Sequence, residues 1–169
     1  EGKAYKFICM PNGYNDAMRA FTTILKVPFS KLRDMDHLSV IYVDDSFLMG
    51  LNYIECKSNI RDTIHLLQSL GFTIHFGKSQ LDPAQVIIFL GFLLDSLNMT
   101  ISLTEEKKIK IIGFAQKILS KKEVTIRQLA SFLGYIVSSF PAVPYAKLHY
   151  RIIEREKIRA LKCHLGNFD

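Results

Sequence analysis

Cysteine is scarce in this sequence, and no apolar run is long enough to span a bilayer. The three cysteines (Cys9, Cys56 and Cys163) have no paired spacing and leave an odd one over. This pattern suits a reducing compartment and argues against a disulfide framework or a zinc knuckle. The longest apolar run, residues 86–94, is far too short for a membrane span. No signal peptide is expected in this sequence.

Histidine clusters, internal repeats and low-complexity segments are also missing, so none of the five histidines marks a metal site by its spacing. The chain of 169 residues suits one domain or one domain with a small appendage. Its 49% hydrophobic and 22% charged residues are typical of a globular protein. The net charge of +6 and pI near 9.2 favour polyanionic partners, nucleic acid first. Ribosomal, membrane-peripheral and other basic proteins share that balance.

Two adjacent aspartates, Asp44 and Asp45, lie between two short apolar runs within residues 38–51. The runs have the pattern of buried strands. Neighbouring strand side chains point to opposite faces, so both carboxylates can serve one site only if the chain turns there. We therefore predict a tight β-hairpin with both aspartates at its tip. Adjacent carboxylates repel each other unless a cation is bound, and Mg²⁺ favours one or two carboxylates plus substrate phosphates. The alternative is an ordinary surface turn, because aspartate is a common turn residue.

Strands and amphipathic helices are predicted on both sides of this hairpin. The predicted elements are a strand at 3–8, a turn at 10–13, a helix from Asn15 to about Lys26 ended by Pro28, a helix from Tyr53 to about Leu70, a strand at 72–76, and a hairpin of residues 86–94 with residues 99–103. Asn15 or Asp16 is well placed as the N-cap of the first helix. Helices interleaved with antiparallel hairpins predict an α+β fold.

The composition changes at Thr104, after which we predict three helices. The first runs from Glu105 to about Ser120, with Ser102 or Thr104 as its cap. Its predicted inward-facing residues are Ile109, Ile112, Ala115 and Leu119, and its predicted outer lysine face consists of Lys107, Lys110, Lys117 and Lys121.

The second of these helices opens with a capping-box pattern at Thr125 and Gln128. Its predicted inward-facing residues are Leu129, Phe132, Leu133 and Ile136; Pro141 and Pro144 end it, and the third helix runs from Tyr145 to Lys162. The sequence therefore predicts two domains, residues 1–103 and a helical domain at 104–169.

Four stretches follow one another in an order and at intervals that resemble the palm of reverse transcriptases. They are Met10-Pro-Asn-Gly13, Tyr42-Val-Asp-Asp45, Leu70-Gly-Phe-Thr-Ile with Lys78-Ser79, and Phe89-Leu-Gly91. Three later stretches resemble DIRS-type retrotransposons, which encode a tyrosine recombinase: Ser96-Leu-Asn-Met-Thr-Ile-Ser-Leu, Leu129-Ala…Gly134 and Phe140-Pro-Ala-Val-Pro-Tyr. The resemblance covers nearly the whole chain. It implies a palm of antiparallel sheet and packed helices at 1–103, followed by a small helical thumb at 104–169.

The resemblance implies an RNA-directed DNA polymerase that uses two Mg²⁺ ions, for which Mn²⁺ can substitute. Asp44 and Asp45 would hold the metal, with Asp44 the direct ligand and Asp45 supporting it. Lys78 matches a lysine that protonates the leaving pyrophosphate, although a surface turn lysine is the alternative reading. The implied partners are an RNA or DNA template with primer, and deoxynucleoside triphosphates.

The remaining implied contacts fall into three groups. The nucleotide and template would be contacted by Pro11, Asn12, Gly13, Tyr14 and Arg19; the primer by Tyr42, Val43, Phe89, Leu90 and Gly91; and duplex phosphates by Lys107, Lys110, Lys117 and Lys121. Tyr42, Val43, Phe89 and Leu90 also have the character of ordinary core or strand residues, and a lysine face is usually only solvated. At Asn12 most relatives carry Phe, and where this chain has Met18 relatives often carry Pro.

Polymerases of this type need a third aspartate, on a strand upstream of the Pro11–Gly13 turn. No residue before Lys3 supplies it. The fingers and ribonuclease H parts of the polyprotein are also expected outside this sequence, so the chain alone should not polymerise. Its life cycle would place it inside the cell, in the cytoplasm or nucleus. Two rival readings stay open: a decayed or domesticated copy that only binds nucleic acid, and an unrelated basic α+β scaffold.

Overall fold

The computed structural model describes residues 2, 5–6, 9–11 and 13–163, and it divides the chain into two units, Glu1–Pro83 and Ala84–Asp169. The strand predicted at 3–8 and residue Asn12 lie outside the described residues. The division falls between Pro83 and Ala84 rather than at Thr104, so the second apolar hairpin belongs with the C-terminal helices. The architecture is mixed α+β, with two small antiparallel sheets and five helices in the described part of the chain.

The first unit surrounds one β-hairpin with two helices. Its elements are α1 (Ala17–Arg33), β1 (Leu38–Tyr42), β2 (Asp45–Met49), α2 (Tyr53–Ser69) and a short 3₁₀ turn (Phe76–Lys78). The core cluster consists of Leu25, Phe29 and Leu32 from α1 and Leu67 from α2. One face of the hairpin packs on this cluster through Ile41 and Leu48. The core therefore lies between the two helices and one face of the sheet.

The other face of this hairpin is not buried within the unit. Leu38, Val40 and Tyr42 alternate with the inward residues and remain exposed. The sequence predicted buried strands, and this is correct for only one of the two faces.

Pro28 lies inside α1, although the sequence analysis expected it to end the helix. Proline removes one amide donor and normally breaks a helix interior. Here Pro28 is buried in the face that also buries Leu25, Phe29 and Leu32. Burial of that apolar face outweighs the local cost, and the helix continues to Arg33. Asp16 is the residue before the helix, as predicted, but its side chain makes no capping hydrogen bond.

The segment 72–76 is not a strand, contrary to the prediction from its alternating pattern. Phe72 and Ile74 pack against the core cluster, while Thr73 and His75 are exposed. The alternation is therefore real, but no strand in the described residues forms a ladder with this segment. Side-chain period alone did not distinguish a packed extended segment from a sheet strand.

The second unit combines a three-stranded meander with three helices. Its elements are β3 (Val86–Phe89), β4 (Phe92–Asp95), β5 (Thr100–Leu103), α3 (Glu105–Leu119), α4 (Ile126–Val137), a 3₁₀ turn (Phe140–Ala142) and α5 (Ala146–Cys163). The sequence predicted one strand over 86–94, and the structure instead folds that run back on itself at Leu90 and Gly91. The three helices after Thr104 and the break near Pro141 are confirmed.

Helix α3 buries a different stripe from the predicted one. Ile109, Ile112 and Leu119 are 67%, 56% and 83% exposed. Ala115 is partly buried as predicted, and the other inward-facing residues are Ile111, Phe114 and Ile118. The sequence contains two apolar stripes on this helix, and the stripe with the aromatic ring packs because Phe114 meets the rings of Phe132 and Tyr135 on α4 at 5.8 and 5.7 Å.

The caps predicted for α3 and α4 are present. Thr104 accepts a hydrogen bond from the Lys107 amide, and Thr125 accepts one from the Gln128 amide. Leu133 is buried in α4 as predicted, with Leu129, Phe132 and Ile136 partly buried beside it. Within the described residues, no helix is both long and apolar enough to cross a membrane.

Candidate catalytic hairpin

The two aspartates lie at the tip of the β1–β2 hairpin, as predicted. Tyr42 pairs with Asp45 at the last rung, so only Val43 and Asp44 form the turn. Asp44 and Asp45 are both exposed. The hairpin therefore brings four of the predicted site residues, Tyr42, Val43, Asp44 and Asp45, into one short segment, with both carboxylates accessible from solvent.

Val43 has the backbone conformation that tight hairpin turns usually assign to glycine or asparagine. Its φ is +56°, in the left-handed region. For a residue with a side chain this conformation costs about 1–2 kcal/mol, and a β-branched residue is a marked exception there. The turn that carries the aspartates is thus held in a strained geometry by the strands on either side.

The carboxylates fit part of a magnesium site. Mg²⁺ prefers hard oxygen ligands and takes one or two carboxylates together with water and substrate phosphates. Asp44 and Asp45 supply two such carboxylates on consecutive residues. Among the described residues, no group of three or more His, Cys, Asp or Glu side chains could hold a metal ion. The donor set that this segment offers is therefore two aspartates, to be completed by other ligands.

A buried amide, Asn59 on α2, holds the base of the hairpin. Its side-chain amide donates to the carbonyl oxygens of Leu38 at 2.8 Å and Met49 at 2.9 Å, which are the two paired ends of β1 and β2. The Thr63 hydroxyl donates to the Asn59 amide oxygen at 3.1 Å. Asn59 is 1% exposed and uses both its donor hydrogens and its oxygen. It fixes the hairpin to α2 at the end opposite the aspartates.

Sequence reasoning missed Asn59 and Thr63 because it considered only the apolar residues of α2. The signal was present: two polar residues four positions apart lie on the helix face that buries Ile60 and Leu67. A polar pair on a buried helix face must find internal partners, and here these partners are the strand ends.

Gly50, between β2 and α2, is a second unpredicted requirement of the hairpin. A Cβ at this position would lie 2.3 Å from the Cys56 nitrogen and 2.7 Å from its Cα. Helix α2 begins shortly afterwards at Tyr53, and the side chain of its N-cap, Asn52, accepts from the Glu55 amide at 2.9 Å. The Glu55 carboxylate in turn accepts from the Leu51 amide. Glycine is therefore the residue that lets α2 start so close to the strand.

A polar cluster lies at the entry to β1. His37 Nε2 is 3.0 Å from Asp62 Oδ2, and Asp62 also accepts from Ser58 and Arg61. The hydrogen bond from Arg61 is the main cause that lowers the pKa of Asp62, with the contacts from His37 and Ser58 adding to it. These contacts attach the segment before the hairpin to α2.

The other predicted residues of the first unit lie outside the hairpin. Lys78 is exposed in the 3₁₀ turn Phe76–Lys78, and Arg19 is exposed on α1. Gly13 has a φ of +89°, and the Tyr14 amide donates to Pro11 O at 3.3 Å, so the predicted turn exists on its described side.

In the second unit, Phe89, Leu90 and Gly91 form the tip of the β3–β4 hairpin. Phe89 pairs with Phe92 across a two-residue turn. Leu90 and Gly91 have φ values of +50° and +75°, the signs that a type I′ turn requires. Leu90 is 41% exposed, so the tip is accessible.

The four predicted lysines of the helical region have different environments. Lys107 Nζ donates to Ser138 O at 2.9 Å, and burial lowers its pKa. Lys110 pairs with Glu106, whose hydrogen bond raises the pKa of the lysine. Lys117 and Lys121 are exposed beside a small cavity of about 170 Å³ that is also lined by Phe114, Ile118 and Gln128.

No family model matches the chain. A Gag-Pol polyprotein of Walleye dermal sarcoma virus is 25% identical to it over 159 residues, which cover 92% of this chain. The chain spans only 8% of that polyprotein's length. Nearly the whole chain is therefore similar to one segment of a retroviral Gag-Pol polyprotein.

Proposed function

We propose that this chain is the palm and thumb segment of a retroelement RNA-directed DNA polymerase, of the DIRS type, that catalyses two-metal nucleotidyl transfer. The observation that carries the proposal is the tight hairpin with Asp44 and Asp45 exposed at its tip. The similarity to a Gag-Pol polyprotein over nearly the whole chain supports a retroelement context. The residue order from Pro11 to Gly91 supports the polymerase assignment within it.

In this proposal Asp44 is the direct metal ligand and Asp45, which pairs with Tyr42 next to the turn, supports it. Two bound Mg²⁺ ions would activate the primer 3′-hydroxyl and bind the nucleotide triphosphate. Asn59 keeps the hairpin base fixed on α2, so that the carboxylates meet the metal with little reorganisation. Lys78, exposed in its 3₁₀ turn, would donate a proton to the leaving pyrophosphate.

The substrate contacts extend this assignment to both units. Tyr42 and Val43 would contact the primer terminus, and the turn at Pro11, Gly13 and Tyr14 would contact nucleotide and template. Template–primer phosphates would meet the exposed ammonium groups of Lys117 and Lys121, which makes binding dependent on salt. The fingers and ribonuclease H parts of the same polyprotein would complete the enzyme.

The decisive experiment is primer extension on an RNA template, with the chain extended upstream to include the third carboxylate. Asp44→Ala should abolish extension and leave template–primer binding largely intact, because the carboxylate binds metal rather than duplex. Asp34→Ala, an exposed aspartate just after α1, is the matched control and should retain the parent rate. Full extension by Asp44→Ala would contradict the proposal.

A second candidate function is nucleic-acid binding without polymerisation, favoured by the net charge of +6 and the exposed Lys117 and Lys121. It predicts a parent chain that binds template–primer but does not extend it. Mn²⁺ titration tests the remaining alternative, an unrelated basic scaffold. Paramagnetic broadening of the amide resonances at 43–46 is expected for a metal site at the tip, and the scaffold predicts none.

A further inference from the structure

The Lys107 side chain connects three parts of the second unit. Its ammonium group lies 4.1 Å from the centroid of the Phe92 ring, the first residue of β4, and donates to Ser138 O just after α4. Its stem lies against the β3–β4 turn, because a Cβ placed on Gly91 would be 3.5 Å from Lys107 Cδ. A single side chain thus lies beside the turn and contacts the strand that leaves it and the end of a helix.

Electrostatics explain why the ammonium group points toward α4. Lys107 is in the first turn of α3, where the helix dipole disfavours a cation. The C-terminal end of α4 favours a cation, and α4 has no basic residue in its own last turn. Lys107 supplies that charge from another helix. The contact with Phe92 adds a cation–π attraction, which strengthens as the ammonium group loses water.

The β3–β4 turn has an unfavourable backbone conformation that contacts with neighbouring residues must stabilise. Leu90 has a positive φ, which is unfavourable for a residue with a side chain, and its side chain is substantially exposed. Lys107 lies over the ring of Phe92, and its stem lies on the side of Gly91 where a Cβ would be. Lys107 is therefore placed between the exposed tip and the end of α4.

We propose that Lys107 is a positioning residue that fixes the Leu90–Gly91 turn on the end of α4 and thereby places the primer terminus. The primer part rests on the proposed function, in which this turn contacts the primer. The role differs from a duplex phosphate contact, because the ammonium group is already bonded within the protein. The role also differs from a purely structural one, because loss of the Lys107 contacts would displace the turn while the second unit stays folded.

Three variants separate these roles in the complete polymerase chain. Lys107→Met keeps the stem and removes the charge, Lys107→Arg restores a cation, and Lys108→Met removes a neighbouring lysine that pairs with Glu105. The measurements are the rate of nucleotide addition at saturating template–primer, the template–primer Kd at several salt concentrations, and the amide resonances of residues 90–92 in the 169-residue chain.

For a positioning residue, Lys107→Met should lower the addition rate about tenfold, because small displacements of reacting groups have large effects on rate. The Kd should change less than about twofold, Lys107→Arg should recover most of the rate, and Lys108→Met should leave it unchanged. The resonances of residues 90–92 should move in Lys107→Met only.

Other results overturn the proposal. A weaker Kd with a salt slope reduced by about one, at an unchanged rate, identifies a phosphate contact instead. Unmoved resonances at 90–92 show that Lys107 does not position the turn, whatever the activity. If the complete parent chain extends no primer, the proposed function fails, and the resonances alone then decide whether Lys107 fixes the turn.

Discussion

The two β-hairpins, β1–β2 and β3–β4, both have a strained two-residue turn, but their anchoring contacts lie at opposite ends. Each reverses the chain in two residues, and each places a side-chain-bearing residue, Val43 or Leu90, at a positive φ. The first hairpin is anchored at its base, where Asn59 donates to both strand ends. Next to the tip of the second, Lys107 lies over the Phe92 ring and beside Gly91.

The proposed function offers a reason for the difference. If Asp44 and Asp45 bind a metal ion as proposed, a cation packed behind them would compete with that ion, whereas a neutral amide at the far end does not. The Leu90–Gly91 tip has no charge, so a lysine can support it closely. On this proposal, each anchor has a location and a charge that keep the groups at the hairpin tip accessible to their ligands.

The largest expected effect is on the base anchor. Asn59→Ala leaves the carbonyls of Leu38 and Met49 without their donor in a buried site, and each such group costs about 1–3 kcal/mol. We expect a loss of about 3 kcal/mol in the free energy of unfolding of the first unit. Urea denaturation followed by the amide resonances of that unit measures it.

The control is Asn52→Ala, which removes an exposed asparagine at the α2 N-cap and should cost about 1 kcal/mol. Equal losses in the two variants would show that Asn59 is not a special anchor of the hairpin.

Gly50→Ala tests the close approach of strand and helix on which that base anchor depends. The new Cβ would collide with the backbone of Cys56, and relief of such overpacking costs about 1–3 kcal/mol. The matched change Gly113→Ala, inside α3 with no atom near the added Cβ, should instead stabilise the second unit by about 0.5–1 kcal/mol. The shifts of the urea midpoints measure the two stability changes, which should have opposite signs. Changes of the same sign would contradict the packing argument.

Lowering the pH should have a smaller effect, and it should lower the free energy of unfolding of both units. Hydrogen bonds from the Asn98 side chain and backbone lower the pKa of Asp95, at the end of β4, as Arg61 does for Asp62 near the first hairpin. A lowered folded-state pKa contributes stability that is present above the unfolded value of 3.8 and is lost as pH falls through the folded value. Both units should therefore lose stability between about pH 5 and about pH 3.

Asp95→Asn should remove part of this acid dependence from the second unit and leave that of the first unchanged. Thermal or urea unfolding at the two pH values, followed unit by unit, measures it. An unchanged pH dependence of the second unit would show that the Asn98 contacts do not persist in solution.

Local signals predicted much of this structure. The adjacent aspartates between apolar runs predicted the first hairpin, and Thr104 and Thr125 predicted two helix starts, because turns and caps depend on a few neighbouring residues. The roles assigned to Asp44, Asp45 and Lys78 stay predictions. Features that depend on distant partners were not predicted. The segment 72–76 alternates like a strand, but whether it joins a sheet depends on a partner that its own sequence does not specify.

Helix α3 illustrates the same limit in packing. Two apolar stripes are available, and only the position of the α4 rings decides that Phe114 rather than Ile112 faces inward. Asn59 was missed for a related reason, since its partners are backbone carbonyls, which every residue carries. Where the local sequence allows two arrangements equally well, tertiary contacts decide which one forms.

Pro28 has a consequence for how α1 exchanges its amide hydrogens. It carries no amide hydrogen and leaves the carbonyl of Ile24 without its helical donor. The ladder of α1 is thereby divided, with residues 17–27 before the gap and residues 29–33 after it. Because Phe29 and Leu32 are almost fully buried, protection in the short second part comes from the core. We therefore expect the amides of the first part, in which Leu25 alone is buried, to exchange faster than those of the second.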